Sequence, residues 1–587
     1  MTMTFNLVAR FRAWWTQSLF PTADSGASPM SGIAWAALIL LMYLAGSLLF
    51  HGLSYPLVEP DEGRYAEIGR EMVSRGDWIV PRFNDQAYLD KPPLFYWLIA
   101  ASVGLFGAEE WSARLVPCTA TFLLILVTFF FGRRILGTLR AMLGAFVLTL
   151  MGGVIIAGRM LILDAVLTLM VALALFTAYE AVQGGQVRRG WWILSAVFAA
   201  LGVMVKGPVA LALVLPPVLA MGWFSSSPPR PRVRDWLIYG AIILAVISPW
   251  FIAITIRCPE FPYYFFVKHH LVRFFGEEHH PQPFWFYVPV LLLGCLPWSL
   301  LLVPFCIFLF SRRQEYRTQR TAGMGYLLLW AGCCLGFFSA SRGKLAPYIL
   351  PAMPPLALLV SCYLEMLLFS TSASRLRAWT NRFIPRQTAA FLVLVWIGVF
   401  LGLWATGITQ PPWFSVEVMK VAGGAALILA LAVYGRRMTP SWSWMVCCAV
   451  MVFLIRESTA GFLPAWAARR SPFCRQREVE ALFQDRNARV AFLPEFGSIP
   501  FRLNHDGFAL HVGDRGADEV KRFLSRSPHG VLIADNDFPL SMAGLFVPEH
   551  MHVERFFNSG KTRFFLLSDN SSVRPVPAAA AMHALAR

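Results

Sequence analysis

Charge is scarce in this chain. Only 14% of its 587 residues are Asp, Glu, Lys or Arg, while 57% are hydrophobic, and a soluble domain carries about a quarter of its residues as charges. That balance excludes a soluble enzyme. The net charge of +17 lacks a single basic stripe, which argues against a nucleic-acid surface. The arginines are scattered between apolar runs, where they set topology and meet anionic headgroups. No HExxH or CxxC spacing occurs, so a regular zinc motif is absent. Six of the ten cysteines (Cys295, Cys306, Cys333, Cys334, Cys447, Cys448) lie inside apolar runs and read as buried filler. Cys258 and Cys474 would both face outward, so a disulfide between them is chemically allowed. No small-x-small site precedes SYPLVEPDEGRY, so the first apolar run reads as a retained span and not as a cleaved signal peptide. No internal repeat pairs two halves of the chain.

What is present is a set of thirteen apolar stretches: 31–51, 111–132, 141–157, 162–182, 191–205, 207–223, 236–256, 285–310, 325–340, 345–368, 388–407, 416–435 and 442–456. Each approaches the roughly 20 residues of a bilayer crossing. Every second connection is basic: Arg10 and Arg12; Arg133, Arg134 and Arg140; Arg188 and Arg189; Arg230, Arg232 and Arg234; Arg312, Arg313, Arg317 and Arg320; Arg375, Arg377, Arg382 and Arg386; Arg436 and Arg437. Short basic loops stay cytoplasmic, so the remaining loops face outward. The fold class expected is an α-helical polytopic membrane protein of about 13 transmembrane helices, with amphipathic interfacial helices in outer loops 52–110 and 257–284. Within the first loop, PLFYWLIAASVGLFG is too short for a comfortable crossing, and counting it as a span would invert every later loop. It reads as an interfacial helix, with Phe95, Tyr96 and Trp97 at headgroup level. The membrane domain runs over 1–458, beginning with a cytoplasmic tail. Residues 459–587 read as a small outer α/β domain, with a helix over Arg477–Phe483, strands in ARVAFLP, HGVLIAD and TRFFLLSD, and a loose tail.

Ionisable residues gather at the outer loop ends. Asp61 and Glu62 follow the first span within VEPDEGRY, where an acid reads either as a solvated turn or as a carboxylate held at a cavity mouth. Asp164 reaches the same face from another helix, and it also suits an N-cap of the helix that follows. Arg64, Lys91, Arg159, Lys206 and Lys344 lie at the same ends. Such cations can snorkel to headgroups; converging on two acids with little other charge nearby, they resemble a phosphate-binding site. His269, His270, His279 and His280 accompany Glu277 and Glu278 in loop 257–284. They read either as solvated histidines or, for His270 with Asp90, as the ends of a bridge through one divalent, zinc-like ion. No organic cofactor is expected.

PDEGRYAEIGREM, WIVPRFNDQAYLDKPPLFYW, RMLILDAVLTL, KGP and FFSASRGKLAPYILPAMPPLALL, in this order along the membrane region, resemble membrane glycosyltransferases that use polyprenyl-phosphate sugars, the superfamily of protein O-mannosyltransferases. YLDKPPLFYW and FFVKHHLVRFFGEEHHPQPFWFYVP are most similar to bacterial lipid A aminoarabinose transferases. The resemblance implies inverting transfer of 4-amino-4-deoxy-L-arabinose from undecaprenyl phosphate to a lipid A phosphate at the periplasmic face of the inner membrane, a modification tied to polymyxin resistance. It implies Asp61 and Asp164 as catalytic carboxylates, and Arg64, Lys91, Tyr348 and Lys344 as holders of the donor phosphate. Tyr348 is expected one helical turn after Lys344, on the same cavity. Close relatives are expected to carry glutamate at position 90; Asp90 keeps the charge with a shorter reach. A lipid A phosphate is already anionic, so Asp61 is expected to position the sugar more than to abstract a proton.

Three alternatives stay open. A sister transferase could modify protein or another glycan, since acceptor choice lies in cavity shape. A lipid-linked-sugar transporter would show paired halves and mid-membrane polar residues. A scaffold would explain the outer domain but not the converging charges.

Overall fold

A computed structural model describes residues 30–369 apart from 85, 184–185, 222–230, 273–280 and 318, then 440–472, and parts of 473–569. Among these residues eight helices are long and apolar enough to cross a membrane, and two bent pairs raise the number to ten. Eleven of the thirteen expected stretches coincide with helical elements; 388–407 and 416–435 lie outside the described residues.

The first span, α1 (Gly32–Phe50), starts where the Ser31 hydroxyl accepts from the Ala34 amide, an ordinary serine N-cap. Loop one then forms α2 (Asp61–Arg75), a short hairpin of β1 (Arg82–Phe83) and β2 (Gln86–Ala87), and α3 (Leu94–Phe106). At 13 residues α3 is too short to span, as expected. Its aromatics are placed differently from the sequence reading. Phe95 and Tyr96 are fully buried against Tyr65 of α2, because α2 covers the face that was assigned to headgroups. Trp97 stays partly open, its indole donating to the Trp78 carbonyl. Helix α2 also corrects the reading of VEPDEGRY as a turn. The close approach of α2 and α3 needs Gly69, where an added Cβ would lie 2.4 Å from Ile99 Cγ2. Gly69→Val is expected to destabilise the fold by about 1–3 kcal/mol through overpacking, read as a lower Tm in detergent.

The bundle continues with α4 (Glu110–Leu136), α5 (Thr138–Thr149) and α6 (Gly152–Arg159), the last two meeting at 60°. Next come α7 (Asp164–Ala181), α8 (Arg189–Lys206), α9 (Val209–Ala220) and α10 (Val233–Arg257). Between α8 and α9 the chain reverses at Gly207, whose φ of 73° with ψ of −152° is open only to glycine. Pro208 then starts α9. Helix α7 is the most enclosed span, with 83% of it inside the protein, so Asp164 at its head faces protein and not lipid.

A π-helix (Tyr263–Val272) occupies loop two, followed by α11 (Tyr287–Gly294), bent by 108° from Trp298–Phe310, which contains α12 (Leu302–Phe310). After α13 (Ala322–Ala340), a 3-10 segment (Ala346–Ala352) leads into α14 (Met353–Phe369). Then come α15 (Pro440–Glu457), a π turn (Ser458–Phe462) and α16 (Leu463–Arg470).

The chain ends in a four-stranded sheet of order β3-β4-β6-β5, from β3 (Arg489–Phe492), β4 (His529–Asp535), β5 (Met551–Ser559) and β6 (Thr562–Asp569). Strands β3 and β4 are parallel, which demands a crossover; α17 (Ala517–Leu524) lies in it. Three strands match the expected segments, and β5 is additional. Of the expected helix over 477–483 only Val479 is described, and it is helical and buried; the tail beyond 569 lies outside the described residues, as do residues 1–29.

Opposite ends of the helices carry different chemistry. Glu180, near the tail of α7, takes both Nε and Nη2 of Arg134 at 2.7 Å and lies 3.7 Å from Arg188. Arg140 pairs with Glu365 and Gln319. The basic connections at 133–140 and 188 therefore share one end of the bundle, and Asp164 heads α7 at the other.

Candidate active site

Both acids of VEPDEGRY stand in the first turn of α2, where carboxylates suit the positive helix end. Their surroundings differ. The Asp61 side chain is 51% exposed and lies 3.7 Å from Arg64. Glu62 is buried and accepts four bonds: Arg114 Nε at 3.1 Å, Arg114 Nη2 at 2.7 Å, the Val58 amide at 2.8 Å and the Leu161 amide at 2.7 Å. Glu62 therefore joins loop one to the turn before Asp164, and its oxygens are already occupied by these four bonds.

Asp164 opens α7 without capping it through its side chain, so the N-cap reading is corrected. Its Oδ1 instead lies 2.5 Å from Lys206 Nζ, with both residues buried. The same ammonium sits 3.9 Å from the centre of the Tyr348 ring. The Tyr287 hydroxyl donates to the Leu345 carbonyl at 3.3 Å and lies within electrostatic reach of Tyr348 and Asp164.

Tyr65 lies within electrostatic range of both carboxylates. Its hydroxyl is pushed well above the usual tyrosine range, first by burial, then by Tyr88, Asp61 and Asp164, with Arg64 opposing. A single phenol thus feels Asp61, Arg64 and Asp164 together. Arg64 is gripped by the hairpin, its guanidinium carbon 6.0 Å from the Phe83 ring centre and 5.9 Å from that of Tyr88. Burial likewise raises the Tyr88 hydroxyl, followed by the charge of Asp90. Lys91 is half-buried in the turn before α3.

Two expected cations lie elsewhere. Arg159 is fully buried and donates to the carbonyls of Leu48, Leu49, Gly52 and Thr459. It clamps the end of α1 to the π turn after α15, because buried carbonyls need donors. Lys344 donates to the carbonyls of Gln282 and Ser341, and burial lowers its pKa. It precedes the 3-10 segment, with Leu345 extended between, so it does not share a helical turn with Tyr348. Cys258 is a free buried thiol, which removes the allowed disulfide; Cys474 lies outside the described residues. Asp90 accepts from the Tyr264 hydroxyl at 2.6 Å, and its charge acts on Tyr88. The side chains of His269 and His270, and residues 277–280, lie outside the described residues. Among those described, no three His, Cys, Asp or Glu side chains gather to hold a metal.

The sequence reading missed Tyr65, Tyr88, Arg114, Tyr264 and Tyr287. For Tyr65 a signal existed: Asp61 and Tyr65 are four apart, the spacing of one helix face, once PDEGRYAEIGREM is read as a helix.

A family model described as dolichyl-phosphate-mannose-protein mannosyltransferase matches residues 90–252. The undecaprenyl phosphate-alpha-4-amino-4-deoxy-L-arabinose arabinosyl transferase of Enterobacter sp. (strain 638) is 34% identical over 428 residues, covering 70% of this chain and 72% of its own length. The enzyme of the same name from Pectobacterium carotovorum is 32% identical over 528 residues, covering 85% and 89%. Crystal structures of ArnT from Cupriavidus metallidurans share the fold: the form bound to undecaprenyl phosphate superposes with a TM-score of 0.71 at 23% identity, and the apo form with 0.73 at 21%, each covering 93% of this chain and 100% of the other. The protein is thus a multi-pass helical membrane protein, and it belongs to the undecaprenyl phosphate-aminoarabinose arabinosyl transferase family.

Proposed function

We propose that this chain moves 4-amino-4-deoxy-L-arabinose from undecaprenyl phosphate to a phosphate of lipid A, at the periplasmic face of a bacterial inner membrane. The family membership supports the donor and the sugar. The observation that carries the site is the buried Lys206–Asp164 pair, with the Lys206 ammonium over the Tyr348 ring, and Asp61 3.7 Å from Arg64 at the head of α2. Sidedness is supported by Arg134, Arg140 and Arg188 lying at the far end of the bundle from Asp164. Residues 1–458 form the membrane transferase domain in this reading, and 459–587 an outer domain.

A lipid A phosphate oxygen attacks the anomeric carbon on the face opposite the donor phosphate. The new carbon–oxygen bond forms as the bond to undecaprenyl phosphate breaks, with inversion, and the electron pair leaves on the departing phosphate. The nucleophile carries no proton, so no base is required. The demand falls on stabilising the leaving phosphate, which suits preset cations in a water-poor pocket. Arg64 offers a planar fork, Lys91 and Lys206 point charges, and Tyr348 a hydroxyl. Asp61 positions the aminosugar. Asp164 holds Lys206 in place. A cavity of about 520 Å³ is lined by Val203, Pro208, Leu211, Ile247, Phe251 and Phe266, and its apolar walls suit a prenyl chain. A divalent ion between Asp90 and His270 would tie loop two to loop one; the Tyr264 bond already makes that tie, and no step runs through the ion.

Mass spectrometry of lipid A from cells with and without this chain tests the proposal. Expression is expected to add the mass of aminoarabinose, and unchanged lipid A in expressing cells rejects the reading.

A further inference from the structure

Loop two docks on loop one through an apolar seam with a polar thread beside it. Phe261 and Phe265 bury themselves among Val80, Met204, Trp250 and Ile254, with Leu89 packed alongside. Next to that seam, Tyr264 Oη donates to Asp90 Oδ1 at 2.6 Å, the short distance of a charge-assisted bond. The Tyr88 hydroxyl in turn feels the charges of both Asp90 and Arg64. The Arg64 guanidinium lies near the rings of Phe83 and Tyr88, so its plane depends on where Tyr88 stands. Tyr264, Asp90, Tyr88 and Arg64 thus follow one another from the π-helix of loop two to a cation of the proposed site.

We infer that Tyr264 is a positioning residue: by holding Asp90 it sets Tyr88, and through Tyr88 it aims the Arg64 guanidinium at the donor phosphate while loop two is docked. This inference rests on the reading of Arg64 as a phosphate contact. Tyr264 touches no reacting atom. A fork-shaped donor gains its strength from alignment, so an arginine left free to rotate binds phosphate less well although its charge is unchanged. Asp90, one carbon shorter than glutamate, meets a donor that comes to it from the π-helix.

Tyr264→Phe removes the hydroxyl and keeps the ring, so the apolar seam survives. The test is transfer kinetics of the full-length protein in detergent, with undecaprenyl phosphate-aminoarabinose and lipid A, for the wild type, Tyr264→Phe, Arg64→Ala and the double variant. Tyr264→Phe is expected to raise the donor KM about 3- to 10-fold, with kcat within about two-fold and Tm unchanged. In the Arg64→Ala background the same change is expected to add almost nothing, because coupled residues are not additive. An unchanged KM in Tyr264→Phe beside a raised KM in Arg64→Ala overturns this inference and leaves the phosphate reading of Arg64 standing. Independent, multiplying effects in the double variant also overturn it. A wild-type KM in Arg64→Ala overturns both.

Discussion

Arg114→Leu is expected to destabilise the folded protein by about 3–5 kcal/mol, because it strands a buried carboxylate. Arg114 is fully buried. It forks onto both oxygens of Glu62, donates to the carbonyls of Leu53, Tyr55 and Pro56, and lies 3.6 Å from the Tyr55 ring centre. Without it, Glu62 keeps only its two amide donors, and three carbonyls lose a partner. Thermal unfolding in detergent reads the loss. Glu62→Leu added to Arg114→Leu is expected to restore part of the stability, since an apolar pair removes the stranded charge. Transfer should stay low, because the bond from the Leu161 amide, which ties the turn before Asp164 to loop one, is gone with Glu62. An unchanged Tm in the single variant would show that the pair does not hold these segments together.

Asp61→Asn is expected to leave stability alone and to lower kcat/KM by about 10²–10³-fold, the usual cost of removing one preset electrostatic group. The two acids of loop one separate here. Glu62 is enclosed by four bonds, whereas Asp61 is half exposed and lies 3.7 Å from Arg64. An amide keeps the shape and loses the charge that faces the aminosugar and the developing positive charge at its anomeric carbon. Transfer kinetics with the aminoarabinose donor, beside binding of undecaprenyl phosphate, separates this from lost affinity. A wild-type rate in Asp61→Asn would remove Asp61 from the site.

The spans were legible because each needs an apolar run of bilayer length, a local property of the chain. The gathering of acids and cations at alternate loop ends, on which the proposed site rests, was legible too. Their division of labour was not. Asp61 and Glu62 are neighbours in the chain, yet the α2 helix turns one toward the pocket and the other into a buried pair with Arg114, 52 residues away. Arg159 and Lys206 look alike as cations at span ends, but one finds four carbonyls and the other Asp164. The short apolar segment at 94–106 was correctly kept out of the membrane count, while the burial of Phe95 and Tyr96 depended on α2 folding over them.

By itself the sequence determined a helical membrane protein, the alternation of its loops and the face on which its charged residues gather. Hydropathy and charge act residue by residue against the bilayer, so no knowledge of packing is required. Only the tertiary structure decided which carboxylate meets which cation, and that Tyr264 of loop two bonds to Asp90 of loop one. Such pairings join segments far apart in the chain, and ionic and hydrogen bonds operate over a few ångströms, a distance that exists only once the helices have packed.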